Sequence, residues 1–294
     1  MRRAILAFTT LTAALASASA SAQAETVVLE PSSPWNVDFG VDKCRLARTF
    51  GVGKDRHLLA FQQYWPGDQA GLTVAGPAFK RFRSLARTEV TFLADQKPLR
   101  TTPFTGTVEG FGTGVIFSAI KIDSGEPETD LIDEAPQSGL PQMDVGLGQQ
   151  VQFLALRQGG RDVRLDTGPL GDAFKVLNQC TLDLLRDWGL DPERHLTAQS
   201  LPRWINQEAL TRKVIANYPK GALAQGEQAI MRMRVVVSAQ GTVESCTILK
   251  ATKTTQLESP ACDVMKAARF EPARDAAGQP FRSLYVTSIT YRIG

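Results

Sequence analysis

The sequence predicts an α+β fold: a mostly-β N-terminal domain with one long helix, followed by a small C-terminal domain with the element order α-β-β-α-β. Short runs of β-branched and aromatic residues, separated by Gly and Pro, fill the first part of the chain. Leu170 to Trp188 instead has apolar residues at helical spacing. The balance of charge then changes: residues 25–199 carry 18 Lys or Arg against 23 Asp or Glu, and residues 200–294 carry 13 against 7.

Composition and charge limit the classes of protein that this chain can belong to. It has 294 residues, of which 43% are hydrophobic and 21% charged. That is the composition of a globular protein, and it excludes a disordered tail protein and a multi-span membrane protein. The formal net charge of +3 is small and the basic residues are dispersed, so we expect no nucleic-acid partner. The charge change and the prolines between Leu190 and Pro202 place the predicted domain boundary there.

The N-terminus has the pattern of a secretory signal peptide. Two arginines precede the apolar run Ala4 to Ala16, and Ala22-Gln23-Ala24 is an A-x-A cleavage pattern. The run is shorter than the roughly 20 residues that a membrane-spanning helix needs. We therefore expect residues 1–24 to be removed before Glu25 and the protein to be exported. The alternative is an uncleaved anchor in the inner membrane.

Individual elements of the N-terminal domain can be assigned from their composition. The segment Gln158-Gly159-Gly160-Arg161 predicts a hairpin turn, and Gly189 is a plausible end for the long helix. The predicted strands are Glu89–Leu93, Gly114–Phe117, Val151–Leu156 and Val163–Leu165.

The predicted export determines the expected chemistry of the four cysteines. An even number of cysteines in an oxidising compartment indicates disulfides, and four cysteines allow three pairings. We expect pairing within each half, Cys44 with Cys180 and Cys246 with Cys262. The chain has no C-x-x-C motif, which argues against a redox site or a zinc site.

The sequence carries no recognised catalytic motif. It lacks G-x-S-x-G, H-E-x-x-H and S-x-x-K, and its two histidines are His57 and His195. An acidic cluster between Asp123 and Glu134 has oxygen ligands suited to calcium, but its spacing differs from that of an EF-hand. We therefore expect a solvated acidic loop there, and we predict no enzyme, no metal and no cofactor.

The C-terminal part has a clear order of elements. Tyr218-Pro219 ends the first helix, because a proline disfavours a helical conformation in the residue before it. In the first strand Met231, Met233, Val235 and Val237 face one way, and Arg232 and Arg234 face the other. Ser259 and Pro260 predict the N-cap and the first residue of the second helix. The predicted elements are helix Gln207–Asn217, strands Ile230–Val237 and Val243–Lys250, helix Ser259–Phe270 and strand Ser283–Ile293.

These elements carry motifs that resemble the C-terminal domain of TonB-type energy transducers. The resemblance covers about residues 206–294, within a predicted domain of residues 200–294. Its clearest part is the R-F-x-P-A-R signature after the second helix. The matching residues are Tyr218, Pro219, Gly241, Arg269, Phe270, Pro272, Ala273 and Arg274. The N-terminal part has no comparably specific resemblance.

The resemblance implies a way of binding. Family members bind an N-terminal segment of an outer-membrane receptor by adding it as a strand to their sheet. Carried over to this sequence, the binding edge is the last strand, with Leu284, Val286, Ser288, Thr290 and Arg292. The same edge would allow a homodimer. Alternatively, self-pairing or the N-terminal half covers the strand, since long open edges favour aggregation.

Two departures from the family pattern lead to three hypotheses of function. The leader is short and ends in a cleavage pattern, and a Cys-containing β domain replaces the long Pro-rich linker of a transducer. The first hypothesis is therefore a periplasmic binding or adaptor protein that pairs with a peptide segment of an outer-membrane receptor or other envelope partner. The second is a membrane-anchored transducer for receptor-dependent uptake. The third is a ligand-binding or enzymatic activity in residues 25–199.

Overall fold

The computed structural model confirms a mixed α+β protein made mostly of strands. The signal peptide, the acidic cluster and Arg292 lie outside the residues that the structure describes. The described residues are 26–122, 138–252, 254–255 and 257–291. No helix among them is long and apolar enough to cross a membrane.

The N-terminal half contains two sheets. One has the strand order β1-β11-β10-β6-β7 and the other the order β2-β3-β4-β5-β9-β8. The strands are β1 Thr26–Leu29, β2 Asn36–Phe39, β3 Cys44–Phe50, β4 His57–Gln63, β5 Ala70–Ala75, β6 Thr88–Thr91, β7 Leu99–Thr101, β8 Phe104–Val108, β9 Gly112–Ile120, β10 Leu154–Gln158 and β11 Arg161–Leu165. The helices are α1 Val145–Gln150, α2 Gly171–Asp187 and α3 Pro192–Leu196, with 3-10 turns at Gly53–Asp55 and Pro77–Phe79.

Both sheets and α2 share one hydrophobic core. Phe61 of β4 lies edge-on to Phe174 of α2, with ring centroids 5.8 Å apart. Leu154 of β10 belongs to the same buried cluster. The predicted Cys44–Cys180 disulfide is present and joins β3 to α2, with the Cα atoms 6.0 Å apart and both cysteines buried. The disulfide therefore attaches the long helix to the six-stranded sheet.

The end of α2 and the β10–β11 turn form as predicted. Gly189 has a φ of +68°. Its N–H donates to the Arg186 carbonyl, and the Leu190 N–H donates to the Leu185 carbonyl, both at 2.9 Å. This bonding pattern is a Schellman motif, in which a glycine avoids the steric cost of a left-handed conformation. In the hairpin, Gly159 and Gly160 have positive φ angles of +52° and +77°.

The predicted strand Val151–Leu156 begins three residues too early. Residues 145–150 form α1, whose N-cap is Asp144, and the Asp144 carboxylate accepts the Leu147 N–H at 2.8 Å. Val151 is the C-cap of this short helix, so the extended strand starts only at Leu154. The Asp144 N-cap stabilises α1, and this local helix forms despite the β propensity of Val151 and Phe153.

The C-terminal half is built around a three-stranded antiparallel sheet with the order β14-β13-β18. The second predicted disulfide, Cys246–Cys262, joins β14 to α6, with the Cα atoms 5.5 Å apart. The elements are β12 Arg203–Trp204, α4 Gln207–Ala216, α5 Lys220–Ala224, β13 Ala229–Val237, β14 Val243–Lys250, α6 Ala261–Met265, β15 Phe270–Glu271, β16 Ala273–Arg274, β17 Pro280–Phe281 and β18 Ser283–Tyr291.

The second helix of this domain, α6, is much shorter than predicted. Pro260 is its N-cap rather than its first residue, although the Ser259 hydroxyl does accept the Ala261 N–H at 3.3 Å. After Met265 the chain makes tight i to i+3 turns, and Phe270 pairs with Trp204 as a strand. The helix ends early because the Phe270 N–H donates to the Gly241 carbonyl and the Arg269 carbonyl accepts the Ile205 N–H, so these backbone groups are not available to a longer helix. The short helix α5 was not predicted.

The segment around the predicted domain boundary is packed onto the C-terminal half. Arg194 of α3 forms an ion pair with Asp275, with Nη2 and Oδ2 2.7 Å apart. Ser200 forms a β-bridge with Arg274. These contacts attach the polar, proline-bounded segment to the C-terminal half.

Candidate functional site: the open edge of the C-terminal sheet

Strand β18 lies at one edge of the C-terminal sheet. It pairs antiparallel with β13 along its whole length, from Ser283 opposite Val237 to Tyr291 opposite Ala229. Among the described residues, no strand pairs with its other edge. Peptide groups on an unpaired edge are available to an additional strand.

The register identifies the β18 peptide groups that face the open edge. The Ala251 N–H donates to the Ile230 carbonyl at 2.9 Å, so the peptide groups of Ile230 face β14. Directions alternate along a strand, so the peptide groups of Met231 face β18, where the opposite residue is Ile289. The odd-numbered residues of β18 therefore bond to β13. The even-numbered ones face outward, and they are Leu284, Val286, Ser288 and Thr290.

One face of this sheet, which we call the inner face, closes the core of the C-terminal domain. Tyr285 lies against Phe270 and Trp204, with ring centroids 5.0 and 5.9 Å away. Burial of the phenol raises the pKa of Tyr285 to about 12. Tyr291 lies edge-on to Tyr218 at 5.1 Å. The inner face thus consists of apolar and aromatic side chains supplied by this domain itself.

The opposite, outer face packs against the N-terminal half. Val236 of β13 and Leu284 of β18 are buried in a cluster with Leu182, Leu185 and Leu190, from α2 and the turn after it. Val286 packs against the same cluster. The side chains of the first part of the predicted binding strand are therefore covered by the N-terminal half.

Arg232 and Arg234 are part of this covered face. The Arg234 guanidinium lies 3.8 Å from the centroid of the Trp188 ring, and its Nη1 is 3.6 Å from Oδ1 of Asp42. Arg232 donates to the Ser118 carbonyl and to the Ser288 hydroxyl. Burial lowers the pKa of both guanidinium groups. The sequence assigned these side chains to the correct face but missed that the face is buried.

The sequence of β13 itself indicates that its outer face is buried. The outer face of β13 reads Ile230, Arg232, Arg234, Val236, with an aliphatic residue at each end of the arginine pair. Long arginine side chains pack their stems and planar heads well against aromatic rings. This pattern of residues is more typical of a face that packs against the rest of the protein than of a face exposed to solvent.

The accessible part of the open edge is the second part of β18. Ser283 and Leu284 are buried, whereas Ser288 and Thr290 are exposed. Of the outward-facing residues, Ser288 and Thr290 are therefore accessible, Val286 is half-buried and Leu284 is covered.

The motif residues around the first turn shape the sheet. Gly241 has a φ of +77°, and a Cβ there would lie 2.0 Å from the Phe270 carbonyl oxygen, so only glycine fits. The Phe270 N–H donates to the Gly241 carbonyl at 2.9 Å. The Tyr218 hydroxyl donates to the Glu227 carbonyl at 2.6 Å, and Pro219 is the N-cap of α5.

The remaining motif residues hold the segment between α6 and β18. The Arg269 N–H donates to Oδ1 of Asn206 at 3.0 Å, and the Arg274 N–H donates to the Ser200 carbonyl at 2.9 Å. Ala273 is buried, and Pro272 lies beside Gly241. These motif residues position the sheet, and none of these contacts reaches the open edge of β18.

The two histidines are buried and hydrogen-bonded. Nε2 of His195 is 2.9 Å from the Ser283 hydroxyl, and its Nδ1 is 2.6 Å from the Asp191 carbonyl. A Ser–His pair can be catalytic, but both side chains have no exposed surface, so a substrate cannot reach them. Burial lowers the pKa of His195. His57 accepts the Ala78 N–H at 3.0 Å.

Comparison with known families agrees with this geometry. Residues 216–293 match the family described as the Gram-negative bacterial TonB protein C-terminal. This range contains β13, β14, α6, β18 and the predicted motif residues. A search of curated proteins found no match to the chain. The resemblance is confirmed: residues 216–293 form a TonB C-terminal domain.

Proposed function

We propose that this protein is an exported binding or adaptor protein whose TonB C-terminal domain binds an extended peptide segment of an outer-membrane receptor or other envelope partner. The peptide adds as a strand along β18. The observation that carries this proposal is the unpaired edge of β18, where Ser288 and Thr290 are exposed and their peptide groups point outward. Main-chain hydrogen bonds then supply affinity with modest demands on the partner's sequence.

The arrangement of the two halves favours an adaptor over an anchored transducer. A transducer needs an extended spacer between its membrane anchor and its receptor-binding domain. Here the N-terminal half is folded and packs on the outer face of the C-terminal sheet. The N-terminal residue and the membrane partitioning of the protein from its own cells test this point. A released form that begins at Glu25 supports the adaptor, and a membrane-bound form that retains Met1 contradicts it.

The strand-addition proposal is tested by removing one outward N–H from β18. The Ser288→Pro variant of the full chain keeps the β13 ladder, because the Ser288 N–H does not bond to β13. Labelled peptides that cover the N-terminal segments of TonB-dependent receptors are titrated by fluorescence anisotropy. We expect Ser288→Pro to weaken binding by about tenfold, since it removes one donor and places a ring at the edge.

Two control variants accompany this test. Ser288→Ala removes the hydroxyl that Arg232 bonds but keeps the backbone N–H, so its affinity should stay near that of the unmodified chain. Val286→Pro should weaken binding less than Ser288→Pro, since Val286 is half-buried. Unchanged affinity in Ser288→Pro would overturn strand addition. A second copy of the chain would compete for the same edge, and a concentration-dependent dimer that Ser288→Pro abolishes would identify that use.

A further inference from the structure

A cleft lies between the two halves, away from the open edge of β18. Its volume is about 570 Å³. One wall is the side of the six-stranded sheet that faces the C-terminal half, including Leu58, Thr73 and Ile116. The other wall is the beginning of β13 and the end of β14, including Ile230 and Thr252. A cleft of this size accommodates a small organic molecule.

Arg232 supplies a buried positive charge to this cleft. The residue is 5% exposed and lines the cleft. Its two terminal nitrogens donate to the Ser118 carbonyl and the Ser288 hydroxyl, but its buried Nε has no hydrogen-bond partner among the described residues. No carboxylate of the described residues forms an ion pair with it. A buried charge without a counter-charge is costly, so this guanidinium favours an anion.

Arg234, two residues along the same face, shows the contrast. It is half-buried in the same interface, but it has Asp42 as a partner and it does not line the cleft. Within the part of the chain that the structure describes, the lack of a carboxylate partner therefore distinguishes the arginine that faces the cleft from Arg234.

The surroundings of Arg232 leave room for its guanidinium. A Cβ at Gly71 would lie 3.2 Å from its Nη2, so glycine allows this close approach. The Tyr64 and Trp65 rings lie 5.4 and 6.0 Å from its Cζ. Among the described residues that line the cleft none is acidic, and Phe104 and Ile116 contribute apolar surface.

We propose that this cleft binds a small amphipathic monocarboxylate, whose carboxylate accepts hydrogen bonds from Arg232 and whose apolar part lies against Phe104, Ile116 and Ile230. Arg45 also lines the cleft but is exposed, so the one buried guanidinium, with its unused Nε, matches one negative charge. The apolar walls match a hydrocarbon chain or ring. Among the described residues, none of β18 lines the cleft, so the cleft is a separate site, although Arg232 also donates to the hydroxyl of Ser288 on that strand.

The test uses the full chain and octanoate as the probe, followed by isothermal titration calorimetry. Octan-1-ol, which has the same chain without the charge, is the control ligand, and sulfate is the control anion. We expect octanoate to bind at least about tenfold more tightly than either control, since a charge-assisted hydrogen bond is lost in one case and the apolar contact in the other. No heat from octanoate at millimolar concentration, or equal binding of either control, would overturn the proposal.

Matched variants locate the site. Arg232→Gln should weaken octanoate binding by about tenfold or more, and Arg234→Gln, which removes the same charge from the same face, should change it less than about twofold. Thr73→Phe, which adds a ring inside the cleft and leaves Arg232 unchanged in sequence, should abolish binding and keeps the proposal testable if Arg232→Gln unfolds. Equal losses in both arginine variants, or normal binding by Thr73→Phe, would contradict the site.

Discussion

The two faces of the C-terminal sheet are both buried, but by different parts of the chain. Met233 and Val235 on the inner face pack against α6 and Phe270, which lie in the same domain. On the outer face, Val236 packs against α2, about 50 residues earlier, and Arg234 lies on Trp188. The inner face is therefore closed by local neighbours, and the outer face depends on the docking of the N-terminal half.

The covering of the outer face restricts the binding edge of β18. The N-terminal half covers the outer-face side chains at the start of β18, such as Leu284, and leaves Ser288 and Thr290 exposed. In a TonB C-terminal domain by itself this face would be exposed. The N-terminal half thus limits how much of the edge a partner can use.

The largest expected effect is the loss of stability when a disulfide is removed. Cys44–Cys180 holds α2, which covers the outer face, and Cys246–Cys262 holds α6, which covers the inner face. Replacing Cys44 and Cys180 by serine should lower the free energy of unfolding by about 4–5 kcal/mol, because the bridge closes a loop of more than 100 residues and holds α2. Replacing Cys246 and Cys262 should cost about 3 kcal/mol, since that loop is short. Urea denaturation measures both. A larger cost for the second pair would contradict the assignment of α2 as the support of the outer face.

A smaller loss of stability is expected when either of two adjacent valines of β13 is replaced by alanine. Val235→Ala on the inner face and Val236→Ala on the outer face should each cost about 2 kcal/mol, because both side chains are buried and each loses two methyl groups. Denaturant midpoints of the two variants provide the measurement. If Val236→Ala behaves like a surface substitution while Val235→Ala does not, the two halves do not dock in solution.

The smallest expected effect is a pH dependence at His195, beside the start of β18. Desolvation lowers the pKa of His195, with Arg194 acting in the same direction, while the hydrogen bond to the Asp191 carbonyl and the Asp191 charge oppose the shift. The unfolded state therefore binds more protons, and stability falls as the pH drops below about 6.5. His57 has a pKa shift in the same direction.

His195→Gln should make the free energy of unfolding less dependent on pH between about pH 7 and pH 5. Urea denaturation at several pH values measures this, with His57→Gln as the matched variant. An unchanged slope in His195→Gln would mean that this buried imidazole does not titrate differently in the folded and unfolded states.

Much of the fold could be predicted because the relevant signals are local. Alternation in β13 predicted its two faces, Gly189 predicted the end of α2, and Gly159-Gly160 predicted the hairpin turn. Both cysteine pairings were also correct. The errors occurred where distant segments bond to the backbone. The helix α6 ends at Met265, and the peptide groups of Arg269 and Phe270 bond to Ile205 and Gly241 instead of continuing it.

The candidate site was predictable only in part. The sequence pointed to the last strand, and the structure places that strand at an edge of the sheet. Which of its peptide groups face outward required the register with β13, which follows from hydrogen bonds to a third strand. Arg232 was assigned to a face, but that its Nε has no hydrogen-bond partner among the described residues could be seen only once its neighbours were known.

The sequence by itself determined the class of fold and the TonB C-terminal motifs, because periodicity, turn residues and motif spacing act over a few neighbouring residues. Only the tertiary structure decided that the outer face of the C-terminal sheet is covered and that Arg232 lines a cleft between the halves. Alternation assigns a side chain to a face of a strand, but what covers that face depends on contacts between segments far apart in the chain.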